Sequence, residues 1–378
     1  MVHSVKLYLI AAHAVKLQCV NKTMAAAKLT LVVADGSNGR YGAFLKSLSA
    51  KPQGGDNTMI TVQDLKGVMA MMPAFTTPDG GSPKAKDTIN TTELERAVDQ
   101  IIRDGVDVVT TMGSFGECHT LLWNEKKKLA EATIAAAKKR VPVFIGCTTL
   151  NTRSTMEEVE FAQQAGADGV LCGVPFYFPS TVDNAVQFYL DLADAFPKMG
   201  IALYHNPQLH RITIPVAAFN KLVTRPNIVM MKDSHRTPIA FMELMRITKG
   251  KLSVFCNQSQ CYPYMQFGAA GCWSISAWQG PWPLLRLRDA CYAGDWETAK
   301  NICLDIDAAY KAPGRPGDLF WRENAHKLAM NESGYCTPGP LRPPFRVVPQ
   351  EIYDHAKQMA AKWKELCDRW PYKKAAAA

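Results

Sequence analysis

A lysine, a tyrosine and a glycine–serine pair stand where three apolar segments of the chain end. Lys232 closes the run "IVMMK", Tyr204 ends "IALY", and Gly113–Ser114 follow "VDVVTTM". Desolvation of a lysine favours its neutral amine, and a neutral amine attacks ketones to form a Schiff base. A phenol can relay protons, while backbone N–H groups and a serine hydroxyl can hold a carboxylate. This set predicts covalent chemistry on a 2-keto acid.

Each of these residues also has a purely structural explanation. A lysine at the end of a strand can simply enter solvent, Tyr204 can be a core residue with a satisfied hydroxyl, and Gly113–Ser114 can be a tight turn. Glu117, shortly after the pair, is better explained as fixing that loop than as a chemical group. The catalytic interpretation therefore depends on whether the elements that carry these residues bring them together.

Short β-branched segments alternate with stretches of helical length from residue 68 onward. The strand candidates are "VMAMMPAF", "VDVVTTMG", "VPVFIGCTT", "GVLCGVPF", "IALYHNP", "IVMMKD", "LSVFCN" and "CWSIS". Nearly continuous apolar strands are typical of a parallel sheet covered on both faces. Eight such βα units predict an α/β fold, a (β/α)8 TIM barrel with a C-terminal helical extension. A doubly wound open sheet is the alternative, but the sequence has no G-x-G-x-x-G loop.

The chain divides into four segments on this pattern. Residues 1–58 have weak periodicity and are expected to form a poorly ordered N-terminal extension, and residues 59–294 form the catalytic barrel. Residues 295–370 contain three further helical stretches, and residues 371–378 are a tail. Active sites of such barrels lie at the C-terminal ends of the strands, so Lys232, Tyr204 and Gly113–Ser114 are expected to meet at one mouth.

The composition argues against a nucleic-acid-binding protein, a disulfide-bonded or zinc-binding protein and a membrane protein. The formal net charge is +9, but the basic residues are dispersed, which argues against a nucleic-acid partner. The 11 cysteines lie in apolar segments without a C-x-x-C pair, as in a reduced cytoplasmic protein with no structural zinc. No apolar run reaches the roughly 18 residues of a membrane helix.

Three motifs resemble one enzyme family. "GSFGE", "YHNP" and "MKDS" fall on strands 2, 5 and 6, and they resemble G-[TS]-x-G-E, Y-x-N-P and the Schiff-base lysine strand of the pyruvate-dependent class I aldolases. That family includes dihydrodipicolinate synthase and N-acetylneuraminate lyase. The resemblance spans about residues 60–370. It implies that Lys232 and Tyr204 are catalytic, that Gly113 and Ser114 hold the substrate carboxylate, and that no metal or cofactor is used.

Further stretches look like the hydratase-aldolases of polycyclic aromatic degradation. They are "MGSFGECHTLLWNEK", "WSISAWQGP", "GDW" and "GPLRPPFRVVP". The chain departs from the synthase pattern at Phe115, where that pattern has a second threonine. It departs again at Gln208–Leu209–His210, where the synthases have an arginine. The resemblance implies a lyase that converts a substituted trans-benzylidenepyruvate, with a 2'-carboxy or an o-hydroxy ring, to an aromatic aldehyde and pyruvate.

The same resemblance suggests residues that contact the substrate. Trp273 matches a tryptophan that could stack on the ring, although core packing would also explain it, and Asn324 matches an asparagine that faces the substrate. His205, beside Tyr204, is also expected to support substrate binding. Because His235 and Arg236 follow the lysine strand, they could meet an anionic ring group, so a 2'-carboxylate is the favoured substituent. Solvated loop residues are the alternative explanation.

The resemblance implies a small 2-keto acid as the only partner besides other copies of the chain, which form a homo-oligomer, a tetramer. Two rival interpretations remain open. Another aldolase of the family, dihydrodipicolinate synthase-like or a sugar-acid lyase, would favour a more polar mouth. A non-catalytic ligand-binding barrel would need Lys232 or Tyr204 to point away from the mouth.

Overall fold

The computed structural model describes residues 59–310 and 319–373, without the side chains of residues 310 and 319–325. The expected N-terminal extension, residues 1–58, and the last five residues of the predicted tail lie outside the described residues. Residues from Met59 onward form one compact unit. No helix in these described ranges has the length and apolar character needed to span a bilayer.

Eight parallel strands close into a barrel in chain order, which confirms the predicted fold class. The strands are β1 Gly67–Met71, β2 Val108–Thr110, β3 Val143–Gly146, β4 Gly169–Cys172, β5 Gly200–His205, β6 Ile228–Asp233, β7 Ser253–Asn257 and β8 Gly271–Ser274. Almost every strand residue is buried, because side chains alternate between the barrel interior and the surrounding helices.

Helices follow the strands and cover the outside of the barrel. They are α1 Thr91–Asp104, α2 Trp123–Ala137, α3 Thr152–Ala165, α4 Val182–Ala195, α5 Pro207–His210, α6 Phe219–Leu222, α7 Pro238–Thr248, α8 Cys261–Gln266 and α9 Trp282–Ala293. The polar side chains of Asn90 and Asn151 cap α1 and α3, and Gly105 and Gly166 end them in the left-handed conformation. These are the start and stop residues that helices prefer.

The predicted helical extension is present after the barrel. It consists of α10 Trp296–Tyr310, α11 Leu319–Ser333 and α12 Gln350–Arg369. The indole of Trp363 on α12 donates a hydrogen bond of 2.9 Å to the carbonyl of Gly280, just after β8. The extension therefore packs directly on the barrel and is not a separate domain.

Candidate active site

Lys232 points into the barrel near the C-terminal end of β6. Its side chain is 1% exposed. The Nζ atom lies 3.6 Å from the centre of the Trp273 ring and 4.6 Å from the centre of the Tyr204 ring. It also donates a hydrogen bond of 3.2 Å to the Ser234 hydroxyl. The amine is therefore enclosed by aromatic rings and does not reach into bulk solvent.

Tyr204 and Ser114 join the lysine at the same end of the barrel. Tyr204 is the register partner of Lys232 on the neighbouring strand, so both side chains point inward. The Tyr204 hydroxyl and Ser114 Oγ are 2.7 Å apart. A β-carbon on Gly113 would lie 2.9 Å from Met71 Cε and 3.7 Å from the Tyr204 ring. A side chain at this position would have to displace the Met71 methyl group, and glycine avoids that contact beside the two hydroxyls.

The loop that carries Gly113 and Ser114 has an unusual backbone. Met112 and Glu117, at its two ends, have φ values of 45° and 51°. Non-glycine residues adopt this left-handed region rarely, and such strain tends to persist at functional sites where the surroundings enforce it. The loop shape therefore depends on contacts made by Glu117.

Glu117 makes those contacts with two buried cations of the C-terminal region. Its Oε2 lies 2.5 Å from Lys327 Nζ and 2.8 Å from an Arg342 guanidinium nitrogen, and all three side chains are almost completely buried. Lys327 also donates to Thr76 Oγ1 at 2.7 Å. Burial lowers the pKa of Lys327 to about 8, against the raising effect of the Glu117 carboxylate. This charge cluster joins the loop that carries Gly113 and Ser114 to α11, and it supports the structural role expected of Glu117.

Replacing Glu117 with glutamine should reduce the free energy of unfolding by about 3–5 kcal/mol, because two buried cations would lose their counter-charge. Urea denaturation would measure the loss. The matched control is Glu297→Gln, which removes the partner of Lys300 at 2.7 Å on the exposed side of α10. Surface pairs contribute little, so the control should be unchanged within error. Equal losses in both variants would contradict a special role for the buried cluster.

Trp273 lies in the barrel mouth as expected. It is 7% exposed, and its indole N–H donates a hydrogen bond of 2.8 Å to the carbonyl of Asp233. This bond fixes the ring while its face covers the Lys232 amine. Asn324 lies in α11, but its side chain is outside the described ones, so its expected contact with substrate stays a prediction.

His205 does not line the mouth, so its expected support of substrate binding stays a prediction and would act through neighbouring residues. His205 follows Tyr204 on β5, and consecutive strand residues face opposite sides, so its ring points away from the mouth. Its Nδ1 lies 3.0 Å from Asp233 Oδ1, and its Nε2 accepts the N–H of Ile214 at 3.0 Å. Both ring nitrogens are therefore occupied in the barrel wall.

Arg236 is also committed to this wall, which contradicts its expected role with an anionic ring group. Its side chain is 4% exposed and its Nε lies 3.5 Å from Asp233 Oδ2. Its guanidinium donates to the Ile214 carbonyl at 2.9 Å and lies 5.1 Å from the centre of the Phe219 ring. His235 is more exposed, with Nδ1 3.6 Å from Asp233 Oδ1.

His205, Asp233 and His235 are close enough together to suggest a metal site, since one ligand atom from each lies within 4.8 Å of the others. The hydrogen bonds argue against that role. The Ile214 N–H donates a hydrogen bond to Nε2 of His205, so Nδ1 must carry the ring hydrogen. Nδ1 therefore donates a hydrogen bond to the Asp233 carboxylate. Burial raises the pKa of Asp233, but hydrogen bonds from His205 and His235 and the charge of Arg236 bring it well below its usual range. The cluster is therefore a buried Asp233 carboxylate held in place by His205, His235 and Arg236.

A further histidine lies in the mouth, in the segment where the sequence departs from the synthase pattern. His210, at the end of α5, is 4% exposed, and its ring packs edge to face on Tyr204 with the ring centres 4.8 Å apart. The sequence does show a histidine six residues after Tyr204. That this short helix turns its last side chain inward could not be read from the sequence.

Comparison with known proteins gives the same family as the motifs. The model of the dihydrodipicolinate synthetase family matches residues 69–362, most of the chain. The chain belongs to this family. It carries Lys232 on β6 and Tyr204 on β5 of the barrel.

Several named relatives of this chain are hydratase-aldolases, and others are 4-hydroxy-tetrahydrodipicolinate synthases, such as that of Exiguobacterium sibiricum at 31% identity over 67% of this chain and 85% of the relative. The trans-o-hydroxybenzylidenepyruvate hydratase-aldolase of Pseudomonas aeruginosa is 31% identical over 318 residues, which cover 81% of this chain and 94% of the relative. The trans-2'-carboxybenzalpyruvate hydratase-aldolase of Nocardioides sp. (strain KP7) is 28% identical, covering 82% and 96%. A solved structure described as PhdJ bound to substrate intermediate superposes with a TM-score of 0.78 at 28% identity, covering 83% of this chain and 99% of that one.

Proposed function

We propose that this enzyme is a hydratase-aldolase that cleaves a trans-benzylidenepyruvate to an aromatic aldehyde and pyruvate through a Schiff base on Lys232. The observation that carries the proposal is the enclosed amine. Lys232 lies between the rings of Tyr204 and Trp273, beside the Tyr204–Ser114 hydroxyl pair. An amine sheltered from solvent next to a proton relay and a carboxylate-binding loop is what imine formation with a 2-keto acid requires.

The reaction begins when the Lys232 amine attacks the keto carbon C2. Gly113 and Ser114 hold the C1 carboxylate, and loss of water from the carbinolamine gives the iminium. Water then adds to C4, the carbon that bears the ring, and protonation of C3 converts the resulting enamine back to the iminium. In the cleavage step Tyr204 removes the proton of the C4 hydroxyl, the C3–C4 bond breaks, and its electron pair enters the pyruvate enamine on Lys232. Protonation and hydrolysis release pyruvate.

An aromatic substrate suits the position of Trp273. The indole covers the amine that becomes the iminium nitrogen, and the double bond of a benzylidenepyruvate keeps its ring in the plane of that iminium. A flat conjugated substrate can therefore lie along the indole, where offset stacking contributes about 0.5–1.5 kcal/mol beyond burial of area. A sugar acid, with its hydroxyl groups on tetrahedral carbons, would lose hydrogen bonds to water against the same surface.

We further propose that the ring carries a hydroxyl and not a carboxylate. A ring carboxylate in the mouth would need a cation as its partner. Arg236 cannot serve, because it already contacts the Asp233 carboxylate and donates to the Ile214 carbonyl. Leaving a charged group without its partner costs at least about 1–3 kcal/mol. Support also comes from the relative in Pseudomonas aeruginosa, whose name specifies the o-hydroxy substrate.

A panel of benzylidenepyruvates tests both proposals. The purified protein should release pyruvate and the matching benzaldehyde, and kcat/KM for the o-hydroxy compound should exceed that for the 2'-carboxy compound by about tenfold, the equivalent of 1.4 kcal/mol in the range above. A higher kcat/KM for the carboxylate would overturn the choice of substituent only. Release of pyruvate from sugar acids but from none of the panel would overturn the function.

We propose a homo-oligomer, a tetramer, on the strength of the family resemblance, and light scattering would test it. We also place the protein in the cytoplasm. Ten cysteines of the described residues are free thiols, nine of them buried, as is usual where glutathione keeps thiols reduced.

A further inference from the structure

The ring of His210 occupies an inward-facing position of the barrel mouth that belongs to another strand. Cys172, the last residue of β4, is paired with Leu203, so Gly173 comes level with Tyr204 and faces the interior as Tyr204 does. A β-carbon on Gly173 would lie 2.4 Å from Cε1 and Nε2 of His210. The imidazole therefore fills the space of the missing side chain, beside the catalytic tyrosine.

The hydrogen bonds of His210 determine which nitrogen carries the proton. Nδ1 lies 2.9 Å from the carbonyl oxygen of Tyr204, and a carbonyl can only accept, so Nδ1 bears the hydrogen. Nε2 then presents a lone pair, and it has no hydrogen-bond partner among the described residues. Burial lowers the pKa of His210 to about 4, so this nitrogen is an acceptor at neutral pH.

The proposed reaction has a step that calls for such an acceptor. An aldolase breaks or makes a carbon–carbon bond, whereas a hydratase-aldolase must also add water to a double bond. The proposed mechanism assigns Tyr204, whose hydroxyl lies 2.7 Å from Ser114 Oγ, to the cleavage step, and the Nε2 atom of His210 is a second acceptor that can orient the water. We propose that His210 holds this water, with Nε2 accepting first its hydrogen bond and then its proton. The inference rests on the proposed function and adds a catalytic residue to it.

The step balances with water as the only co-reactant. The water oxygen forms a bond to C4, the C3=C4 electron pair moves to C2=C3, and the C2=N pair returns to the nitrogen of Lys232. The proton leaves the oxygen for Nε2 of His210. A weakly basic imidazole is sufficient, because a water molecule that is bonding to carbon is already strongly acidic. C3 then takes a proton from solvent, His210 releases one, and the iminium of the 4-hydroxy acid results.

The test separates hydration from cleavage with two substrates that share one unsubstituted ring. trans-Benzylidenepyruvate requires both steps, and 4-hydroxy-2-oxo-4-phenylbutanoate requires only cleavage. In His210→Asn the amide N–H can still donate to the Tyr204 carbonyl, but no atom reaches the position of Nε2. The rate on the unsaturated compound should fall on the order of 10²-fold, as for loss of a general base, while the hydroxy acid should be cleaved within about threefold of wild type.

A second variant, at Gly173, should move the His210 imidazole without replacing the histidine. In Gly173→Ala the new methyl group would lie 2.4 Å from the imidazole and displace it, so the same selective loss of hydration is expected. His119→Asn, at an exposed position two residues after Glu117, is the matched control and should behave as wild type on both compounds.

Any other pattern of rates for the His210→Asn variant would contradict the proposal that His210 holds the water, and each pattern has its own explanation. Equal losses on both compounds would mean that His210 only supports Tyr204. No loss on either would exclude a role in catalysis. A loss on the o-hydroxy compound of the benzylidenepyruvate panel, with no loss on the two unsubstituted compounds, would mean that Nε2 binds the ring substituent. If wild type cleaves neither compound, the proposed function fails first, and the water-holding role fails with it.

Discussion

Replacing Lys232 with methionine should reduce turnover to background and abolish covalent trapping. Incubation of the wild type with pyruvate and borohydride should give one reduced adduct per chain, on Lys232, because reduction fixes the imine as a secondary amine. Methionine preserves the length of the side chain between the rings of Tyr204 and Trp273 but has no nucleophilic nitrogen. Without the iminium, the electrons of the C3–C4 bond have no acceptor, so cleavage has no route.

Lys126 provides the matched control for the trapping experiment. It is also a buried lysine, but it lies on α2 outside the barrel, 2.7 Å from Glu158. Lys126→Met should retain the adduct and the activity of the wild type. A labelled peptide that contains any lysine other than Lys232, or turnover by Lys232→Met, would refute the Schiff-base mechanism. Mass spectrometry of the digested adduct gives the position directly.

The sequence was sufficient for the barrel and for the residues that point into it. Alternation of eight apolar strands with helices is a local pattern, and the closed barrel follows from it because strand ends converge at one mouth. That convergence placed Lys232, Tyr204 and Ser114 together, and the structure confirms their proximity.

Position in the chain does not by itself show which way a side chain points in this barrel. His205 follows Tyr204, but the two-residue period of a strand sends it into the wall, where Asp233 and Ile214 occupy both ring nitrogens. Arg236 was expected to be available to an anion, but it lies on the same buried carboxylate. The alternation rule, applied to these positions, would have predicted the outward direction of His205.

Other features depend on contacts between distant parts of the chain and have no local signal. Glu117 meets Lys327 and Arg342 across more than 200 residues, so a sequence pattern can indicate a structural glutamate but not its partners. His210 is similar, since its inward position depends on the absence of a side chain at Gly173 on another strand. Such pairings become visible only once the register of the barrel is known.

Replacing Tyr204 with phenylalanine should slow turnover by about 10²–10⁴-fold while leaving the protein folded, because one hydroxyl is removed and general acid–base groups contribute in that range. The ring contacts with His210 and with the Lys232 amine are retained. Trapping with pyruvate should still label Lys232, since the amine and the carboxylate loop remain. Single-turnover cleavage of 4-hydroxy-2-oxo-4-phenylbutanoate measures the step in which the C4 hydroxyl loses its proton.

Ser114→Ala separates proton relay from carboxylate binding within the same hydroxyl pair. Ser114 Oγ lies 2.7 Å from the Tyr204 hydroxyl, so both variants remove this hydrogen bond, but only Tyr204→Phe removes the phenol. If Tyr204 carries the proton, the phenylalanine variant should lose mainly kcat, and the alanine variant should mainly raise KM, because it loses one contact to the carboxylate in every bound state. A Tyr204→Phe variant with the kcat of wild type would leave Tyr204 a core residue, and the proton would then have to leave the C4 hydroxyl by another route.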